Sequence, residues 1–317
     1  MNGENFLYFD SGEGDKDRML VFATPGNIQL LRDCPEWLVD GTFKTCPTVF
    51  TQLYSIHVRL DDGNTVPAIF AMLPGKNAAT YRRFLDVVKS AIDGVEPQAV
   101  HVDFELPMLK ELESAFPSAG IVGCAFHFNQ SIWRYVQRDE SLREKYLESL
   151  DFALKFRIFC ALAYVPEEEV GTAFEAILAP RFVKVNEKLL RRFINYFEKT
   201  WIGRERNPPL FKTEWWNLYK VASKGMSRTT NEVESWHSNF AGRLGLVHPK
   251  VCELIEGLRV EQARTQFVVS NTQAQGRANK PKAVYRDRSL RLEQLVESYP
   301  RRKLMGFLMS CAHMISF

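Results

Sequence analysis

Three carboxylates stand out for where they fall. Asp40 follows the apolar run Trp37-Leu-Val and opens a Gly-Thr turn, and Asp103 follows a second run, Ala99-Val-His-Val. Glu234 sits far downstream in Arg228-Thr-Thr-Asn-Glu-Val-Glu-Ser-Trp-His237. An apolar run that ends in one acid delivers that acid from the end of a buried strand. The spacing of Val233, Trp236, Phe240 and Leu244 puts Glu234 on a helix, one residue round from the core face. Two strand-borne aspartates and a helix-borne glutamate suggest a metal site for cutting phosphodiesters. That reaction needs charge neutralised on the attacking and leaving oxygens, and two divalent ions roughly 4 Å apart do both. Mg²⁺ prefers carboxylate and water oxygens, often with only one or two protein carboxylates per ion. In such a site Asp40 bridges both ions, while Asp103 and Glu234 each complete one. Glu105, two residues beyond Asp103, leans to the same side of the strand and is a substitute ligand or a group behind the ligands. Any one of these acids alone is more often a cap or turn residue; only the ordered set points to catalysis.

The elements that must position these acids follow from periodicity. Residues 1–18 are polar and are expected to fray. Met19–Phe22 reads as a short strand, Asn27–Arg32 as a helical turn, and Trp37–Asp40 as a strand. Tyr54–Leu60 alternates apolar even positions with polar odd ones, the pattern of a half-buried strand. Asp61-Asp-Gly-Asn64 is a turn, and Val66–Leu73 returns as the partner, with Pro67 near its start or edge. Tyr81, Phe84, Leu85, Val88 and Ile92 share one face of a helix over Thr80–Ile92. Ala99–Phe104 is a strand, Pro107–Phe116 a helix, and Gly120–Phe126 a short strand. A meander followed by alternating helices and strands predicts an α/β fold, a ribonuclease-H-like mixed sheet flanked by helices. From Phe128 to about Ser227 strand signals fade, and Ser131–Gln137, Leu142–Phe159, Glu167–Leu178 and Glu187–Lys199 read as helices. This is a large all-helical insertion before the last catalytic helix. Thr229 with Glu232 fits a capping box at the start of that helix. Val251–Val269, Tyr285–Ser298 and Leu304–Phe317 are further helices, with a polar loop at Asn271–Pro281.

Bulk composition narrows the class. With 45% hydrophobic and 25% charged residues, the chain is neither disordered nor fibrous. Six scattered cysteines without a CxxC pair favour buried, reduced thiols. No apolar run reaches the ~18–20 residues needed to cross a bilayer, and the polar N-terminus is no secretory signal, so a soluble intracellular protein without membrane partners is expected. A net charge of +3 is too small to name a partner. Locally, Arg181, Lys184, Lys188, Arg191, Arg192, Lys199, Arg204 and Arg206 outnumber the neighbouring acids, with Trp201, Trp215 and Trp216 close by. Such a stretch either grips phosphates and stacks on unpaired bases, or is a solvated helix face over a Trp-rich core. Arg277–Lys282 carries the same ambiguity.

The sequence resembles a known family, the Mutator-like (MULE) transposases. The likeness rests on Asp40-Gly-Thr-Phe43, Val66-Pro-Ala-Ile-Phe70, Tyr81 with Phe84, Val102-Asp-Phe-Glu105, Gly123-Cys-Ala-Phe-His-Phe128, and Arg228 to His237 as an R-T-x-N-x-x-E-x-W-H segment. Thr230 departs from a frequent asparagine. The resemblance implies a DDE-type core that cuts DNA and transfers the strand. Asp40, Asp103 and Glu234 stand at its catalytic positions with two Mg²⁺ or Mn²⁺ ions, and transposon ends and target DNA are its partners. A homo-oligomer is left open, and a nuclear location is implied. The expected division is an N-terminal extension (1–36), the first part of the core (37–127), a helical insertion (128–227), the end of the core (228–270) and a C-terminal helical segment (271–317). Cys124 and His127 match a family motif and are assigned structural or DNA-positioning support over metal binding. His237 either orients Glu234 or contacts a phosphate, or is an ordinary surface histidine. Arg191, Arg192, Arg204, Arg206 and Arg228 are the candidate DNA contacts. Family members often carry a Cys/His zinc module, and none is evident before residue 37. The alternative is a domesticated, non-mobile DNA-binding or regulatory protein derived from such a transposase.

Overall fold

The computed structural model describes residues 5–275, apart from Gly225 and Ser227, together with 283–315 and 317. Its sheet begins earlier than the polar N-terminus suggests. β1 (Leu7–Asp10) pairs antiparallel with β2 (Leu20–Phe22). The first residues were expected to fray, but Phe6 is buried, with its ring 5.5 Å from Phe22 and 6.3 Å from Phe70. Thr24 accepts a hydrogen bond from the Asn27 amide and Pro25 fits the first turn, so a helix, α1 (Pro25–Asp33), starts there.

The meander follows as β3 (Glu36–Thr42), β4 (Gln52–Arg59) and β5 (Thr65–Leu73). Then come α2 (Ala78–Ala91), capped by the Asn77 side chain, β6 (Ala99–Val102), α3 (Leu106–Ala115) and β7 (Gly120–Gly123). The sheet order is β1-β2-β5-β4-β3-β6-β7. β3 is antiparallel to β4 and parallel to β6, so the sheet is mixed, in a ribonuclease-H-like arrangement. Pro67 is tolerated because β2 pairs only with Phe70–Met72, leaving the start of β5 unpaired on that side.

Alternation sends the two halves of each central strand to opposite faces. On one face Trp37 meets Phe116 edge-on at 5.4 Å, and Tyr54 meets Phe84 of α2 at 5.8 Å. The other face of β4 carries Leu53, Ser55 and His57. It was expected to meet water, yet Ser55 and His57 are fully buried. A helix from much later in the chain covers them.

The chain divides into two compact units, Met1–Ile121 with Thr230–Lys280, and Val122–Thr229 with Pro281–Phe317. The second unit carries α4 (Ala125–Arg138), α5 (Glu140–Glu148), α6 (Leu150–Phe156), α7 (Ile158–Ala161), α8 (Val170–Leu178), α9 (Arg181–Val185), α10 (Glu187–Phe197), α11 (Thr213–Trp216) and α12 (Tyr219–Ser223). Its described residues from Ala125 to Thr229 hold no strand, only an isolated bridge between Arg204 and Asn207. The expected single helix over Leu142–Phe159 is broken, because Ser149 caps a new helix at the Phe152 amide. The expected strand Gly120–Phe126 stops at Gly123. A core of Phe156, Phe159, Phe174, Phe193 and Phe197 packs ring against ring. Trp201, Trp215 and Trp216 are buried too, with Phe128 stacked on Trp216 at 5.2 Å. The tryptophans are therefore core, not a platform for bases.

In the first unit, α13 (Asn231–Leu244) ends on Gly245 at φ +65°, a left-handed cap that suits glycine. α14 (Val251–Gln275) follows and extends through residues expected as a loop; residues 276–282 lie outside the described set. α15 (Ala283–Glu297) and α16 (Leu304–Met314) complete the second unit. No described helix is long and apolar enough to cross a membrane. Phe240, Leu254 and Leu258 join Leu20, Phe22, Leu53, Phe70 and Met72 in one core.

Gly41 sits directly across from Tyr54, and a Cβ there would lie 2.8 Å from the Tyr54 ring and 2.5 Å from Gln52 Oε1. Tyr54 is buried and cannot swing aside. Gly41→Ala is expected to cost about 1–3 kcal/mol through overpacking, measured as a lowered thermal midpoint of the full chain. An unchanged midpoint would show that the sheet absorbs the methyl.

Candidate functional site

The site is set by strand register. β3 and β6 pair as Glu36 with Ala99, Trp37 with Val100 and Leu38 with His101. Carried two residues further, that register stands Asp40 beside Asp103, on strands spaced about 4.8 Å apart. Both acids therefore lie at the same ends of adjacent parallel strands and on the same face. Asp40 Oδ1 accepts from the Gly41 amide at 2.7 Å, and its side chain is 14% exposed.

α13 is seated over this pair. Thr230, at its N-cap, donates its hydroxyl to Asp103 Oδ1 at 3.2 Å. Two turns on, His237 Nε2 lies 3.7 Å from Asp40 Oδ2. Glu234 falls four residues after Thr230 and three before His237, a spacing that keeps all three on one helical face. The helix thus touches both aspartates and carries Glu234, half-buried, between its two contacts. The expected capping box is not made: Thr230 is the N-cap, no side chain caps the helix, and Glu232 instead takes Arg59 at 2.6 Å and Thr65 at 2.9 Å. Arg59 also holds Glu36 on β3 at 3.0 Å. A fork spanning two acids outcompetes a local cap. Trp236 stacks on Phe240 at 5.1 Å and donates to Glu261 of α14, which also takes Arg243.

Behind Asp40 lies a polar chain. Ser55 is its cross-strand partner, and Ser55 Oγ is 3.3 Å from His237 Nε2 and 3.0 Å from His57 Nε2. Burial pushes the His237 imidazole down to about 4, against the opposing pull of the Asp40 carbonyl and the Asp103 charge. Burial likewise drives His57 well below its ordinary value, with His237 adding to the shift. Both rings are neutral at pH 7. His237 is thus no surface histidine, and it contacts Asp40. Ser55 and His57 were missed as site residues. Alternation marks their side of β4 as different from the other but does not say that a helix covers it.

Glu105 precedes α3 and makes no cap. Burial raises its carboxyl, Asp103 adds to the rise, and the Tyr81 hydroxyl and Lys76 oppose it. Tyr81 also accepts from the Gln52 amide at 2.9 Å. Cys124 and His127 belong to the second unit. Cys124 is the buried N-cap of α4 and His127 lies in its first turn, their ligand atoms within 4.8 Å of each other. The five arginines are also in the second unit. Arg191 pairs with Glu187 and Arg204 with Glu198, while Arg228 donates to Ser289. Among the described residues Arg192 and Arg206 hold no carboxylate. Arg192 lines a cavity of about 360 Å³ with Tyr135 and Arg138.

Arg59 joins β3, β4 and α13 from a half-buried position. Arg59→Ala is expected to cost about 1–3 kcal/mol, because Glu36 and Glu232 lose a common partner. Arg59→Lys should recover only part, since an ammonium cannot fork between them. Urea unfolding of the full chain measures both, and equal stability of all three proteins would remove Arg59 as the tether.

No curated protein matches the chain. A family comparison gives one finding, and it covers β3 through the first half of α4, with Asp40, Asp103, Glu105, Cys124 and His127 but not Glu234. Residues 36–131 match the model of the MULE transposase domain.

Proposed function

We propose that this chain is a DNA transposase of the Mutator-like type. The observation that carries this is α13 contacting both aspartates and carrying Glu234 between those contacts. The donor set suits Mg²⁺ or Mn²⁺: three carboxylates, all oxygen ligands, two of them side by side. When bound, two such ions supply neutralising charge at the attacking and leaving oxygens and a water of lowered pKa.

The chain's own residues do the rest. Asp40, its Oδ1 held by the Gly41 amide, would hold the ions together with Asp103 and Glu234. Thr230 turns Asp103, and α13 presents Glu234. Water attacks one phosphodiester, breaking its bond to the 3′ oxygen and leaving a 3′-hydroxyl and a 5′-phosphate. That hydroxyl then loses its proton and attacks a target phosphorus in line, displacing the target's own 3′ oxygen. DNA is the partner, and Arg192 and Arg206, which hold no carboxylate among the described residues, are its first candidate contacts in the second unit.

Asp40→Asn and Asp103→Asn are expected to bring cleavage and joining to background, because each keeps its size but loses a charged ligand. Glu105→Gln should lose only ~10–100-fold, the usual cost of a group behind the ligands. In the absence of metal, Asp40→Asn should melt no lower than the parent, since it removes one of two adjacent like charges. The assay is cleavage and joining of a labelled duplex with Mg²⁺ or Mn²⁺, with folding checked by thermal melting. Full cleavage by Asp40→Asn removes the mechanism. Parent protein that binds DNA but neither cuts nor joins supports the domesticated alternative.

A further inference from the structure

The buried polar chain on β4 has no part in the scheme above, and a purely apolar strand would have packed more simply. Ser55 is fully buried, His57 is 1% exposed and His237 is 7% exposed. Burying three polar side chains is unfavourable unless each is hydrogen-bonded.

Proton counting gives the chain a direction. His237 Nδ1 is buried and hydrogen-bonds nothing among the described residues. A buried N–H without an acceptor is the rarer and costlier case, so the proton belongs on Nε2. That N–H then points at Ser55 Oγ, 3.3 Å away, with Asp40 Oδ2 standing beside the same nitrogen at 3.7 Å, outside hydrogen-bond distance. The Ser55 hydroxyl donates to the Asp40 carbonyl, 3.5 Å across the β3–β4 ladder. With its one proton used, its oxygen accepts from His57 Nε2, 3.0 Å away, as from His237. His57 is itself held edge-on by Trp236, with ring centroids 5.0 Å apart. The two imidazoles thus converge on the Ser55 hydroxyl, which ends on the Asp40 carbonyl.

We propose that Ser55 and His57 are positioning residues for Asp40, acting through His237. Gly41 N–H holds one carboxylate oxygen, and the Ser55–His57–His237 chain sets what faces the other. The carboxylate's rotation is therefore chosen before any cation arrives. The proposal rests on Asp40 being a metal ligand, as proposed above.

The test is Mn²⁺ binding to the full chain, followed by loss of the free-ion electron paramagnetic resonance signal and independent of any DNA reaction. Ser55→Ala is expected to weaken Mn²⁺ binding ~10–100-fold, as losses behind a ligand do. Ser55→Thr, which keeps the hydroxyl, should restore most of it. His57→Phe should match Ser55→Ala, and the double variant should be little worse than either, because both cut one chain. If Ser55→Ala does not fold, Ser55→Cys replaces it, being nearly the same size with a weak donor. Mn²⁺ binding by folded Ser55→Ala or Ser55→Cys equal to the parent's overturns the proposal. Asp40→Asn serves as the control. If it loses Mn²⁺ while the Ser55 and His57 variants keep it, only the positioning role falls. If Asp40→Asn itself keeps Mn²⁺, the metal role of Asp40 falls and the positioning role with it.

Discussion

The parallel register of β3 on β6 is the constraint on which the first unit turns. It stands two aspartates next to each other at one end of the sheet, and adjacent like charges are unfavourable in a partly buried place. Nothing in a two-strand pair alone compensates them. The compensation comes from what surrounds the pair: the Gly41 amide on Asp40 and the Thr230 hydroxyl on Asp103. Those two donors hold the carboxylates side by side at one end of the sheet. The stability given up there is recovered in the aromatic and aliphatic packing on both faces of the same strands.

α13 is the second half of that arrangement, and it is held by more than its apolar stripe. Val233 and Phe240 bury against the sheet and Trp236 stacks between Phe240 and Phe70. Apolar packing is non-directional and would tolerate a helix rotated or slid by part of a turn. The polar contacts remove that freedom. Arg59 grips Glu232 from β4, Glu261 of α14 takes both Trp236 and Arg243, and His237 meets Ser55. These contacts decide which residues of α13 look down on the aspartates, and so where Glu234 lies.

The parts that could be recognised from sequence are those whose cause is local. Asp40 and Asp103 announce themselves because an apolar run before a lone acid is a strand delivering a charge. The hairpin and α2 follow from period and turn chemistry. Ser55 and His57 could not be separated from a solvated face, because alternation records that one side of a strand differs from the other, not what lies beyond it. What lies beyond is α13, which arrives more than 170 residues later. Thr229 and Glu232 failed as a capping box for the related reason that Arg59, distant in sequence, offered Glu232 a stronger partner. The tryptophans near the basic stretch were ambiguous because composition cannot tell a ring buried on Phe128 from one awaiting a base. β1 was missed because the short run Phe6-Leu-Tyr-Phe9 was read together with the polar residues on either side of it.

The same geometry explains how the acids of one site tolerate so long an interval between Asp103 and Glu234. For a flexible loop, closure entropy grows only with the logarithm of length, so lengthening a short connection to roughly a hundred residues costs ~2 kcal/mol. A segment that folds on its own does not even incur that cost, provided its two ends leave and return close together. Here the ends are joined: the Ala125 amide at the start of α4 donates to the Arg228 carbonyl at 2.8 Å, just before α13. Entry and exit of the second unit are thus pinned by a backbone hydrogen bond between its first helix and its last residues. As a connection between β7 and α13 the second unit acts like a short turn, whatever its internal length. Its own aromatic core, rather than the sheet, supplies the stability of those helices. Glu234 can therefore be placed by contacts made entirely within the first unit, by Thr230, Glu232, Trp236 and His237.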